Sequence, residues 1–466
     1  MGRTVYAEER LLNYLETLGK PDAYSVGLIF GQSSDQKDYV VHLARIPFVP
    51  AADAVEDSFH SHPTNPEDNY IKSIKDLDVF YVADHAKTVT RMLPGGIWVL
   101  GMFVVGPEDC LTDNSLSQKL KSAVMAIHKS LDSNVHLSGN SPHEKLILSF
   151  NTLTKKYTSK SIDTATDGFL KPADWRFAKK PTKWYHFETI VDLNTLCPIL
   201  EEENLLSLKK QLQIVIRKYA EMINKAVIVI EGEAVTNSSD PLESIMEDEK
   251  TKKNKQEEDE NDKLLQVGVY IPYWPVEKQE DIKSTICEAS IKVMGQLVSR
   301  VSLHEKSTCE EAANAVKQDI LRSIASRLEL HWDTIIVEEN GFQEENVTLH
   351  EPPRRIFLQL PQNRISLSDY LYPGEVDESM IIDLFKTLLD LEISENQLQK
   401  DLEKQIDPTD LYKQNKVSSE NWNAAETETK VESDKSWNII IYVSALLTVI
   451  CAIILGILLY FFQKKN

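Results

Sequence analysis

Along the first half of the chain, continuous apolar runs alternate with segments whose apolar residues recur every three or four positions. These are the signatures of strands buried on both faces and of amphipathic helices. Residues 8–18 set Leu11, Leu12, Leu15 and Leu18 on one helical face, and residues 24–30, bounded by Pro21 and Gly31, read as a buried strand. Residues 32–37 form a polar turn and residues 38–46 a return strand, which makes a hairpin. A long helix is predicted over residues 70–92, from Ile71, Ile74, Leu77, Phe80, Tyr81 and Asp84, and Pro94-Gly95-Gly96 stops it. Residues 97–105 are the most apolar stretch before the C-terminal segment and predict a central strand; residues 115–131 predict a helix and 145–150 a further strand. Helix, hairpin, helix, buried strand, helix, strand is the order of an α/β sandwich.

The second half repeats the vocabulary in an α+β arrangement. Helices are predicted over residues 204–225, 310–332 and 375–393, and strands over 226–230, 264–271, 290–301 and 354–360. In the middle helix, Ala312, Val316, Ile320, Ile324 and Leu328 share one face, a stripe expected to enter a core. Residues 237–263 carry dense mixed charge, no aromatic residue and little apolar content, which predicts a disordered acidic loop. The expected organisation is an α/β domain over 1–178, a second α+β domain over 179–404, a polar tether over 405–436 and an anchor over 437–463.

That anchor is the strongest single signal. Residues 439–462 contain no charge, and at about 1.5 Å per residue such a helix crosses a hydrocarbon core of about 30 Å. Ile439, Leu446, Ile454, Leu458 and Phe462 face lipid in this reading, with Trp437, Tyr442 and Tyr460 near the two interfaces. Residues 1–20 lack the basic and apolar regions of a signal peptide, so a single-pass, tail-anchored topology with the bulk of the chain in the cytosol is expected. The sequons at Asn237 and Asn346 are then expected to stay unmodified.

Charge and motifs narrow the chemistry. A formal charge of −21 argues against nucleic acid and anionic membrane surfaces as partners. Five scattered cysteines form no C-x-x-C pair, and neither a phosphate-binding loop nor a G-x-S-x-G elbow is present. Cys110 beside Asp109 has the wrong neighbour for an activated thiol. His60-Ser61-His62-Pro63 spells a metal-binding core, but in a Pro- and Asp-rich stretch with no strand leading into it. A metal-dependent isopeptidase using His60 and His62 is therefore the rival to a binding protein. Pro94-Gly95-Gly96 is open to two uses, ending a helix or meeting a partner. Trp175 is open to being a core plug or an interface anchor.

Val26 to Gly31 resembles the opening strand of the MPN fold, and Gly101 to Pro107 resembles its second motif, with Val104 and Gly106 where the zinc-binding histidines of its metalloproteases stand. That resemblance implies a non-catalytic MPN-like domain. Longer words resemble the odorant-response-abnormal protein four family: Gly2-Arg3-Thr4, Gly27-Leu28-Ile29-Phe30-Gly31-Gln32, Arg91 to Phe103, Pro172-Ala173-Asp174-Trp175, Ala315 to Leu321, Arg355-Ile356-Phe357 and the terminal anchor. The resemblance implies a non-enzymatic adaptor at the endoplasmic reticulum membrane, with no cofactor. It further implies help in folding or trafficking a subset of G-protein-coupled receptors, and recruitment of the ubiquitin-fold-modifier protease. A heterodimer through MPN-like domains is the expected form of that pairing.

Overall fold

The computed structural model describes residues 2–34, 36–47, 70–139, 141–166, 168–235, 240–243, 245, 264–271, 286–338, 352–372 and 379–404. Residues 1–405 form one compact unit. The anchor, the His60-Ser61-His62-Pro63 word, the loop at 246–263 and both sequons lie outside the described residues. Among the described residues no helix is long and apolar enough to cross a membrane.

The first sheet has eight strands: β1 (Thr4–Glu8), β2 (Ser25–Ser34), β3 (Lys37–Arg45), β4 (Trp98–Gly106), β5 (Glu144–Asn151), β6 (Tyr157–Asp163), β7 (Lys171–Pro172) and β8 (Asp174–Ala178). Their spatial order is β7-β6-β5-β4-β2-β3-β1-β8. The β2–β3 hairpin and the β2–β4 and β5–β6 pairs are antiparallel, while β4 runs parallel to β5, and β1 runs parallel to both β3 and β8. Helix α1 (Glu9–Thr17) covers one face through Leu11 and Leu15, which pack with Ile29, Phe103 and Leu148. Helices α2 (Val79–Thr90) and α3 (Asn114–Asp132) cover the other, against Leu28, Met102 and Ile147. With both faces buried, β2, β4 and β5 need apolar residues at every position, which is why they read as unbroken runs.

The predicted helix over 70–92 is shorter than expected. Residues 74–76 make a single 3₁₀ turn, and α2 begins only at Val79, because the Asp78 carboxylate accepts the Phe80 and Tyr81 N–H groups and so caps the helix there. Phe80, counted in the apolar stripe, is exposed. The predicted helix over 204–225 starts later, as α6 (Leu208–Asn224), and a separate single turn, α5 (Glu201–Asn204), precedes it across a non-helical step at 205–207. Helix α4 (Val135–Ser138) is one turn following α3.

The second sheet contains β9 (Trp184–Leu200), β10 (Val227–Ile230), β11 (Glu233–Ala234), β12 (Leu264–Tyr270) and β13 (Cys287–His304), in the order β11-β10-β12-β9-β13. β9 and β13 pair antiparallel along nearly their whole length. Helix α6 and the 30-residue helix α7 (Cys309–Glu338) pack on this sheet, and Ala312, Val316, Ile320, Ile324 and Leu328 are buried there as their spacing predicts. A third sheet, β14 (Arg354–Gln359), β15 (Ser366–Leu371) and β16 (Leu398–Gln399), joins helix α8 (Ser379–Leu389) in the same core as α2 and α3.

Two buried histidines lie at the end of α8. The His42 Nε2–H donates to the Leu389 carbonyl at 2.7 Å, and His85 lies against the backbone of Leu388. The Tyr14 hydroxyl donates to Asp390 at 2.5 Å and Arg45 reaches the same carboxylate. Burial pushes both imidazoles from 6.5 down to about 4, overriding the carbonyls that favour their charged forms; at His42, Arg10 adds to the fall and Asp390 opposes it. Because the folded values lie below the unfolded one, the unfolded chain takes up protons between pH 6.5 and 4 that the folded chain refuses. Stability from this source is therefore present above pH 6.5 and is lost as pH falls through the window, by up to about 1.4 kcal/mol per pH unit per histidine. Urea denaturation at pH 7 and pH 5 measures this loss. His42→Gln, which keeps an N–H donor for Leu389 but does not titrate, is expected to flatten the acid limb.

Candidate functional site

Pro94, Gly95 and Gly96 meet a partner inside the same compact unit. The Gly95 N–H donates to the Asp319 carboxylate of α7 at 3.0 Å, and Arg322, one turn on, donates to the Leu93 and Pro94 carbonyls at 2.7 and 3.0 Å. A methyl group on Gly95 would overlap the Ala315 carbonyl, and Gly96 holds a φ of +82°. The same Asp319 takes a two-pronged ion pair from Arg355 of β14 at 2.8 and 3.1 Å, with both side chains wholly buried. Burial alone would lower the Arg355 guanidinium, but Asp319 and Tyr370 hold it above its ordinary value; Arg322, with less compensation, is lowered to about 10. Further along α7, Arg327 grips Glu403 at 2.6 Å, and that carboxylate also accepts the Val298 and Arg355 N–H groups. The turn is thus a joint between all three sheets.

Gly101 sits where β4 begins to pair with β5, so close to the Leu146 carbonyl that any side chain would collide with it. Trp175 is 5% exposed on β8 and packs with Val5 and Phe103, at 5.9 Å from the Phe177 ring, in the core under α1. Cys110 is buried and its thiol is pushed up to about 12 by burial, with Glu108 and Asp109 adding to the rise, which removes it as a nucleophile at neutral pH. Among the described residues no group of three or more His, Cys, Asp and Glu side chains could hold a metal.

A concave site does exist, at residues that carried no functional expectation. Tyr6 of β1 and Tyr39 of β3 are register partners, and so are Trp184 of β9 and His304 of β13. Where the two sheets meet, these pairs join: Tyr6 stacks on Tyr39 at 5.6 Å, Tyr39 on His304 at 3.6 Å, and Trp184 stands edge-on to His304 at 6.0 Å. The stack walls a cleft of about 570 Å³, closed by Lys180, Pro181 and Lys183 on one side and by the 361–364 turn of the third sheet on the other. The His304 Nδ1 accepts the Lys306 N–H, which leaves the proton on Nε2. Burial, reinforced by Lys306 and Lys37, lowers this imidazole to about 4 and keeps it neutral. Burial also raises the Tyr39 phenol, with help from Tyr6 and Glu305. The signal for this site is Lys179-Lys180-Pro181-Thr182-Lys183-Trp184-Tyr185, a basic and aromatic word that falls on the expected domain boundary.

These three sheets, tied through one long helix, define a mixed α/β protein. The chain belongs to the Odorant response abnormal 4-like family, whose model matches residues 27–400. It is 27% identical over 409 residues to the Mus musculus Protein odr-4 homolog and 28% identical over 401 residues to the Homo sapiens one, covering 84% of each chain in both comparisons. The Caenorhabditis elegans Odorant response abnormal protein 4 is 21% identical over 359 residues, with 75% of this chain and 71% of that one covered. The crystal structure of UfSP from C. elegans superposes with a TM-score of 0.40 and 8% identity, over 84% of this chain and 57% of that one, too loosely to bear on fold or activity.

The joint at Asp319 is expected to be sensitive to single changes. Asp319→Ala strands the buried Arg355 charge and is expected to cost roughly 3–5 kcal/mol, and Gly95→Ala roughly 1–3 kcal/mol through overlap with Ala315. Urea unfolding midpoints of the two variants against the parent check both values.

Proposed function

We propose that the protein is a non-enzymatic adaptor of the endoplasmic reticulum membrane, held there by the apolar run at 439–462 with residues 1–436 on the cytosolic side. Its task in this reading is to assist folding or trafficking of a subset of G-protein-coupled receptors and to recruit the ubiquitin-fold-modifier protease to the membrane. The observation that carries the reading is the family match over residues 27–400, with relatives aligned across most of their length. The C. elegans relative is named for an abnormal odorant response, in keeping with receptor handling.

The chemistry of the first sheet supports binding over cutting. In the proposed MPN-like module, Val104 is wholly buried on β4, and a side chain at Gly106 would run into the Tyr24 ring. Neither position offers a lone pair to a metal, whereas a hydrolytic zinc site needs about three protein ligands and an open water position. The module is proposed to pair with an MPN-bearing partner, the protease itself, without a cofactor.

A mild-detergent pull-down from the protein's own cells, read by mass spectrometry, tests this against a version ending at Ser436. The modifier's protease is expected with both forms in stoichiometric amount, and receptors with the anchored form. Receptors without the protease would remove the adaptor role and leave a membrane chaperone.

A further inference from the structure

The cleft between the sheets is lined by several hydrogen-bond donors and cations. Trp184 and His304, 5% and 6% exposed, line the cleft, where the indole and the imidazole Nε2 each carry an N–H. Asn363, 8% exposed on the opposite wall, accepts the Ile365 N–H with its Oδ1, while its amide nitrogen donates to nothing. Lys180 is exposed at the rim, and Lys183 and Arg364 add positive charge alongside contacts of their own. Against these the lining carries one carboxylate, Glu305. A surplus of positive charge here stands out in a chain of net charge −21. A buried donor without an acceptor is costly to the free protein, so a ligand rich in acceptor oxygens recovers what the Asn363 amide leaves unmet and balances the surplus positive charge.

We propose that this cleft docks a carboxylate-bearing segment of a partner protein: a short, extended acidic peptide whose oxygens accept from Trp184, His304 and Lys180. A volume of about 570 Å³ lies in the range of sites that hold a peptide segment or a drug-sized ligand, and a lone small anion would leave most of it empty. The Tyr6 and Tyr39 rings supply the apolar wall against which such a segment lies, and the neutral His304 gives a directional donor without drawing in a counter-ion of its own. The proposal stands on the cleft alone and is independent of the receptor and protease reading.

Fluorescence anisotropy of the full-length protein in mild detergent tests it, with a labelled peptide alternating Glu and Ala and its Gln–Ala counterpart as probes. The acidic peptide is expected to bind about tenfold tighter or better, with an affinity that falls as salt is added. Lys180→Glu, at an exposed position, is expected to weaken it about tenfold or more. Trp184→Phe keeps an aromatic ring and removes the N–H, and is expected to weaken binding several-fold at a temperature well below the variant's own unfolding transition. Equal binding of the two peptides, or an unchanged affinity in Lys180→Glu, overturns the proposal. Displacement of the peptide by inorganic phosphate or free glutamate at comparable concentration overturns it as well, since that is the behaviour of a small-anion site.

Discussion

The buried carboxylate of Asp319 organises the molecule. It sits in the middle of α7, a helix whose other face is an apolar stripe in the second sheet's core, and it binds the turn that leads into the central strand of the first sheet together with the first strand of the third. A charge at such depth is tolerable only when its partners are complete, and here Arg355 and the Gly95 N–H fill both oxygens. The interaction selects one arrangement of the three sheets more than it adds to their total stability. An apolar contact tolerates sliding, and a two-pronged ion pair capped by a backbone N–H does not. Arg322 and the Arg327–Glu403 pair extend the same logic by one and two turns, so that the polar face of the helix also meets partners inside the fold.

Strands buried on both faces and helices with one apolar stripe were legible in the sequence because their patterns leave no competing reading. β2, β4 and β5, helix α3 and the apolar stripe of α7 fall within a few residues of where periodicity puts them. Two polar strands were not. β9 runs through Thr189, Asp192, Asn194 and Thr195, which interrupt any apolar pattern, and β6 is mostly Ser, Thr and Lys. The joint was hidden for a related reason. Asp319 and Arg322 look like the solvated side of an amphipathic helix, and only their buried partners, Arg355 and the Pro94 carbonyl, reveal otherwise. The Pro94-Gly95-Gly96 word was visible, but its partner lies more than two hundred residues away.

The cleft follows from the same architecture. Parallel pairing of β1 with β3 and antiparallel pairing of β9 with β13 each bring two rings side by side, and the seam between sheets sets the two pairs against one another. No local pattern announces a ring stack assembled from residues near 6, 39, 184 and 304. The Gln32 side chain, which accepts the His304 N–H and donates to the Ser307 hydroxyl, fixes the seam from the first sheet.

Helix α7 also limits how the chain's length can vary. One residue inserted before Asp319 would turn the rest of the helix by about 100°, carrying Asp319, Arg322 and Arg327 away from Gly95, Arg355 and Glu403 together and driving charge into the apolar core beside them. The segment from Cys309 to Arg327 is therefore a fixed ruler, whose length cannot change without breaking the joint.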